Sequence, residues 1–146
     1  MIELLHQELV FTFPEVHPNA KLKILLFRTL RIPDDGRNYP LPPGLSTFPV
    51  RHVDDFSKKV PKNWLKHGGV IIPMYQSEAL WLNFRSAYIH DRWNEYPFAI
   101  KIATGKINAV NGMPWEEGLR RNPQDYVVAP EQPWIDGWRM FHLAYP

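Results

Sequence analysis

At 146 residues, 45% of them hydrophobic and 22% charged, the chain has the composition of one folded domain rather than a disordered solvating segment. A chain of this size buries about 70% of its unfolded surface. Its formal net charge is +2, with Lys and Arg spread along the sequence instead of gathered in a basic stripe, so no nucleic-acid partner is expected. The lack of cysteine excludes disulfides, thiol nucleophiles and thiolate metal sites.

Two quantities depart from the average. The 15 prolines and the 14% aromatic content disfavour long helices and favour short extended pieces joined by stiff turns. Residues 1–146 therefore read as a single, mainly β domain. The start of the chain, Met1 to Glu8, has neither a basic region nor a long apolar region, which argues against a signal peptide. Runs such as Ile24-Leu25-Leu26-Phe27 are far shorter than the ~20 residues of a membrane helix. No membrane association is expected, and a cytoplasmic location is the default.

In chain order, Leu9-Val10-Phe11-Thr12-Phe13 predicts a strand ending at Pro14. Residues 21–32 predict its hairpin partner, with Leu22, Ile24 and Leu26 on one face and Lys21 and Lys23 on the other. Leu25 and Phe27 interrupt the polar side, so that end should be covered on both faces. Residues 33–49 read as a loop whose stiff segment, Tyr39-Pro40-Leu41-Pro42-Pro43-Gly44, either wraps its own domain or docks elsewhere. Residues 54–67 predict one short helix in two turns, with Asp54 or Asp55 capping its start. Its second turn begins at Pro61 and it stops at Gly68-Gly69, with Val60, Trp64 and Leu65 facing the core.

Residues 70–75 predict a buried strand and residues 80–84 an alternating one, Leu80, Leu82 and Phe84 opposing Trp81 and Asn83. Residues 98–103 and 106–110 predict a hairpin turning at Thr104-Gly105. Asn111-Gly112 makes a further turn, residues 115–119 a short helical turn, and residues 125–128 and 138–145 two last strands. Several short strands with one modest helix predict an antiparallel sandwich or partly open barrel, α+β by content.

The segment Tyr96-Pro97-Phe98-Ala99-Ile100-Lys101-Ile102, with Gly105, Asn108-Ala109, Gly112, Gln124-Asp125-Tyr126 and Gln132-Pro133-Trp134-Ile135-Asp136-Gly137, resembles an uncharacterised family of bacterial and fungal proteins. So does the stretch from Gly68 to Trp81. The resemblance covers about the last 80 residues and brings no known activity, so it implies no catalytic residue. Members of that family continue into further β structure where this chain ends. The resemblance therefore implies a domain incomplete at its C-terminus, whose unpaired strand invites self-association.

Three kinds of site are weighed. His52 and Asp54 would share one face of a strand as a partial metal site, against the plain reading of a helix cap and a surface histidine. Glu78, between apolar strands, and the His90-Asp91 pair are the acid–base candidates of a small hydrolase-like enzyme. No GxSxG, P-loop or dinucleotide fingerprint occurs, and no cofactor is expected. Tyr39, Tyr75, Trp81 and Trp93 are the candidate contacts of a non-catalytic binding or assembly domain, taking a small molecule, a glycan or a peptide on exposed aromatic rings. That last reading is the preferred one.

Overall fold

Alternating β-branched and aromatic residues pair here into antiparallel ribbons. A computed structural model of the chain describes residues 1–33, 35–89 and 94–135. Its strands are β1 (Ile2–Leu5), β2 (Glu8–Thr12), β3 (Lys21–Leu30), β4 (Ser46–Thr47) and β5 (Arg51–His52). After a 3-10 turn (Val53–Phe56) and the helix α1 (Lys62–His67) come β6 (Val70–Ile71) and β7 (Glu78–Ser86). The described chain ends with β8 (Phe98–Ile100), β9 (Ala103–Thr104), β10 (Ile107–Asn108), β11 (Val127–Ala129) and β12 (Trp134–Ile135).

The main sheet runs β1-β2-β3-β7-β12, with β4 beside β3. It is an open sheet, not a closed barrel. Its backbone is the long antiparallel pairing of β3 with β7, from Leu22 opposite Ser86 to Leu30 opposite Glu78. Three two-stranded ribbons accompany it, β5 with β6, β8 with β11, and β9 with β10. Among the described residues no helix is long and apolar enough to cross a membrane.

The even-numbered residues of β3 and β7 make the core face. Leu22 and Phe84 pack with Val127 and Ala129 of β11, joined by Phe11, Ile24, Phe98 and Ile100. Leu26 packs with Phe48 and Val50, joined by Leu4, Leu9, Val70, Ile72 and Leu80. Leu25, on the opposite face, is buried beside Leu26, so this end of β3 is covered on both sides as its sequence suggests.

Several expectations are corrected. The supposed loop 33–49 contains β4 and places Phe48, with Val50 just beyond it, wholly in the core; two-residue strands leave no periodicity to read. The helix divides into the 3-10 turn and α1, with Pro61 as N-cap and a Gly68 N–H returning to the Trp64 carbonyl. Asp54 and Asp55 lie inside the 3-10 turn and no side chain caps it. Trp64 is 50% exposed, because so short a helix rests on the domain without burying any side chain.

Elsewhere the strand at residues 70–75 shortens to β6, and its residues are half-buried rather than buried. The later hairpin turns at Gly105-Lys106, both at positive φ, since Thr104 is already paired with Ile107. Residues 98–100 pair with β11 instead. Residues 115–119 are not helical; the Trp115 N–H donates to the Lys106 carbonyl. β1 and β12 have no counterpart among the expected strands, and residues 138–145 lie outside the described residues.

Candidate functional site

The face of the sheet opposite the core carries Lys23, Leu25, Phe27 and Thr29 of β3 across from Arg85, Asn83, Trp81 and Ala79 of β7. β12 adds Trp134, in register with Asn83. The Trp134 ring contacts Phe27 at 5.4 Å between centroids and meets Trp81 edge-on at 6.4 Å. Beneath them Asn83 is buried; its amide donates to the Pro133 carbonyl at 3.1 Å and its oxygen accepts from Arg85 at 2.9 Å. Those bonds fix the strand that presents Trp134, which stays 45% exposed.

The proline-rich segment wraps its own domain. Thr29 Oγ1 donates to the Pro43 carbonyl at 3.0 Å, and a Cβ built at Gly44 would sit 3.5 Å from the Trp81 ring. Part of Trp81 is thus covered by the chain's own Pro-Gly, leaving Trp134 as the open ring. Trp81 alone among the predicted aromatic contacts falls in this cluster. Tyr39 is engaged elsewhere, its hydroxyl donating to Asp35 at 2.7 Å, an acceptor that raises the Tyr39 pKa and lowers that of Asp35. Tyr75 is exposed in the β6–β7 connection, and Trp93 lies outside the described residues. Phe27 and Trp134 complete the cluster unforeseen. The break in alternation at Phe27 is the signal that was available; two-residue β12 offers none.

Glu78 is buried but fully engaged. Its Oε1 accepts from Arg28 Nε at 2.9 Å and from Arg28 Nη2, and its Oε2 accepts from the Tyr75 N–H at 3.0 Å. The Tyr75 amide, followed by Arg28, holds the Glu78 carboxyl below its ordinary range against the opposing effect of burial. A general acid needs the reverse shift. His90 and Asp91, its proposed partners, lie outside the described residues.

A second buried ion pair escaped sequence reasoning. Lys101 Nζ donates to Asp125 Oδ2 at 2.6 Å and to the Glu116 and Gly118 carbonyls at 2.6 and 2.7 Å. Asp125 Oδ1 accepts from the Arg120 N–H at 2.7 Å. Bonding to Lys101, then to that amide, lowers the Asp125 pKa. All three ammonium protons are used, so the pair is a structural clasp. His52 and Asp54 are both exposed, and among the described residues no group of three or more His, Asp or Glu could hold a metal ion.

Comparison with known proteins returns no family model, no curated protein and no solved structure that matches this chain.

Proposed function

We propose that this chain is a non-catalytic binding domain whose open sheet face, formed by Phe27, Trp81 and Trp134, takes a glycan by stacking a sugar ring on Trp134. The observation that carries this reading is the posture of Trp134. Its ring is nearly half exposed yet held by aromatic contacts to Phe27 and Trp81. A flat apolar ring fixed before the ligand arrives avoids an ordering cost that binding would otherwise bear. Exposed polar chains on the same face, including Arg85 and Lys23, offer hydrogen bonds to hydroxyls around such a ring.

Two further points favour binding over acid–base catalysis. Both buried carboxylates described, Glu78 and Asp125, have lowered pKa values, and both oxygens of each already accept hydrogen bonds within the chain. A proline-rich ligand is the weaker choice for this face, because Pro43-Gly44 of the same chain already lies along Trp81.

The test is thermal unfolding and tryptophan fluorescence of the full chain against glucose and N-acetylglucosamine oligosaccharides. A bound sugar at about 100 times its Kd should add about 2.7 kcal/mol, or roughly 5–10 °C at this size. Trp134→Ala should remove the response, and Trp134→Phe should retain part of it. If no oligosaccharide moves the midpoint, or Trp134→Ala responds as the parent does, the reading is wrong.

A further inference from the structure

Two cations stand opposite each other beside the Trp134 platform. Lys23 of β3 is in direct register with Arg85 of β7, on the face that carries Trp134, and both residues are exposed. Directly opposed like charges weaken a sheet, so this pairing works against the fold. Lys23 is relieved by Glu8, 3.1 Å away. Arg85 takes part in no ion pair among the described residues.

Charge is also distributed unevenly across this face. By register its carboxylates are Glu3 and Glu8, on β1 and β2, and its cations are Lys21, Lys23 and Arg85, on β3 and β7. The positive end therefore adjoins β12 and Trp134. Along β7, Arg85 lies ~7 Å from Asn83, and Asn83 is the residue in register with Trp134. The Arg85 side chain spans part of that interval, because its Nε donates to Asn83 Oδ1 at 2.9 Å. The Asn83 amide nitrogen donates to the Pro133 carbonyl at 3.1 Å, one residue before Trp134. One buried amide thus holds both the guanidinium and the strand that presents the ring. The Arg85 Nη1 and Nη2 groups donate to no acceptor among the described residues, so the end of the fork is open.

We propose that the glycan taken by this face is acidic, with the sugar ring stacked on Trp134 and a uronic acid carboxylate received by Arg85 Nη1 and Nη2. This inference rests on the glycan reading and narrows it to a substrate class. The planar fork of a guanidinium matches a carboxylate with two parallel hydrogen bonds. An anion at that point also offsets the repulsion between Arg85 and Lys23. Anchoring Nε on Asn83 before the ligand arrives lowers the ordering cost of a long side chain. A neutral sugar on the same ring gains only ordinary hydrogen bonds from Arg85.

The experiment is calorimetric titration of the full chain with a hyaluronan oligosaccharide, in which glucuronic acid and N-acetylglucosamine alternate. The same oligosaccharide with its carboxyls reduced to alcohols is the neutral partner, and polyglutamate is the control for charge alone. The acidic sugar should bind about tenfold or more tighter than the reduced one, and this ratio should shrink at high salt. Arg85→Gln should bring the ratio to about twofold or less, and Arg85→Lys should keep part of it. Trp134→Ala should weaken both sugars. Arg85 is exposed, so its variants should keep the parent's circular dichroism. If the reduced sugar binds and the acidic one binds no tighter, the acidic preference is overturned and the glycan reading stands; if neither binds, both fall. The preference is also overturned if Arg85→Gln leaves the ratio unchanged, or if polyglutamate binds as tightly as the acidic sugar.

Discussion

At Lys101 a charged side chain is almost wholly removed from water, its exposure 8% and that of Asp125 the same. Such burial is costly unless every proton finds an acceptor, and here two carbonyls and a carboxylate supply three. The Trp115 ring, 4.8 Å from Nζ, adds a cation–π contact. Asn108 extends the network, its amide donating to the Asp125 carbonyl at 2.7 Å and its oxygen accepting from the Val110 and Asn111 amides. Asp125 and Glu78 both have folded-state pKa values below their unfolded ones of about 3.9 and 4.3. Each therefore contributes stability that is fully present above its unfolded value and is lost as pH falls through the folded one. Denaturant unfolding followed from pH 7 to pH 2 should show a flat plateau and then a fall beginning near pH 4. Glu78→Gln should be less stable than the parent at pH 7 and fall less steeply below it. A Glu78→Gln profile parallel to the parent's throughout would contradict the assignment.

Among the elements, legibility follows length. β3 and β7 were readable because nine or ten residues of alternation survive interruptions such as Leu25, and the Pro61 and Gly68 limits of α1 were readable as backbone chemistry. β4 and β12 were not, because at two residues each their pairing is imposed by the neighbour. The candidate site shares that limit, since Trp81 lies on a legible strand and Trp134 on an illegible one. β1 was missed for a different reason. Its turn, His6-Gln7, puts both residues at positive φ, 49° and 70°, with Leu5 paired to Glu8 across it. That is the geometry that Asn-Gly adopts readily and other residues adopt at a cost. The double substitution His6→Asn/Gln7→Gly should therefore stabilise the protein by about 1–2 kcal/mol. Thermal unfolding would register this as a higher midpoint; an unchanged or lower one would mean that these side chains contribute contacts worth more than the strain they impose.

At the scale of the whole molecule, two buried clusters among the described residues share one sheet face. One is closed by β11 through Val127 and Ala129, the other by Phe48 and Val50. Leu82 packs against both, and it sits mid-way along β7, the strand that also pairs with β12. The two clusters therefore have no independent scaffold, since loosening either disturbs the β3·β7 pairing on which the other rests. Phe48 and Phe84, the largest fully buried side chains, probe them separately. Truncating either to alanine should cost about 3–5 kcal/mol, a large share of the ~5–15 kcal/mol stability usual for a domain. If the clusters form one cooperative unit, Phe48→Ala and Phe84→Ala should each move the entire urea transition to lower concentration. Fluorescence and circular dichroism should then give coincident curves. If they are separate units, Phe48→Ala should split the transition, with an early phase for its own cluster and a late phase where the parent unfolds. Far-ultraviolet dichroism, which reports on all the strands together, would show both phases, and their relative amplitudes would say how much of the sheet each one unfolds.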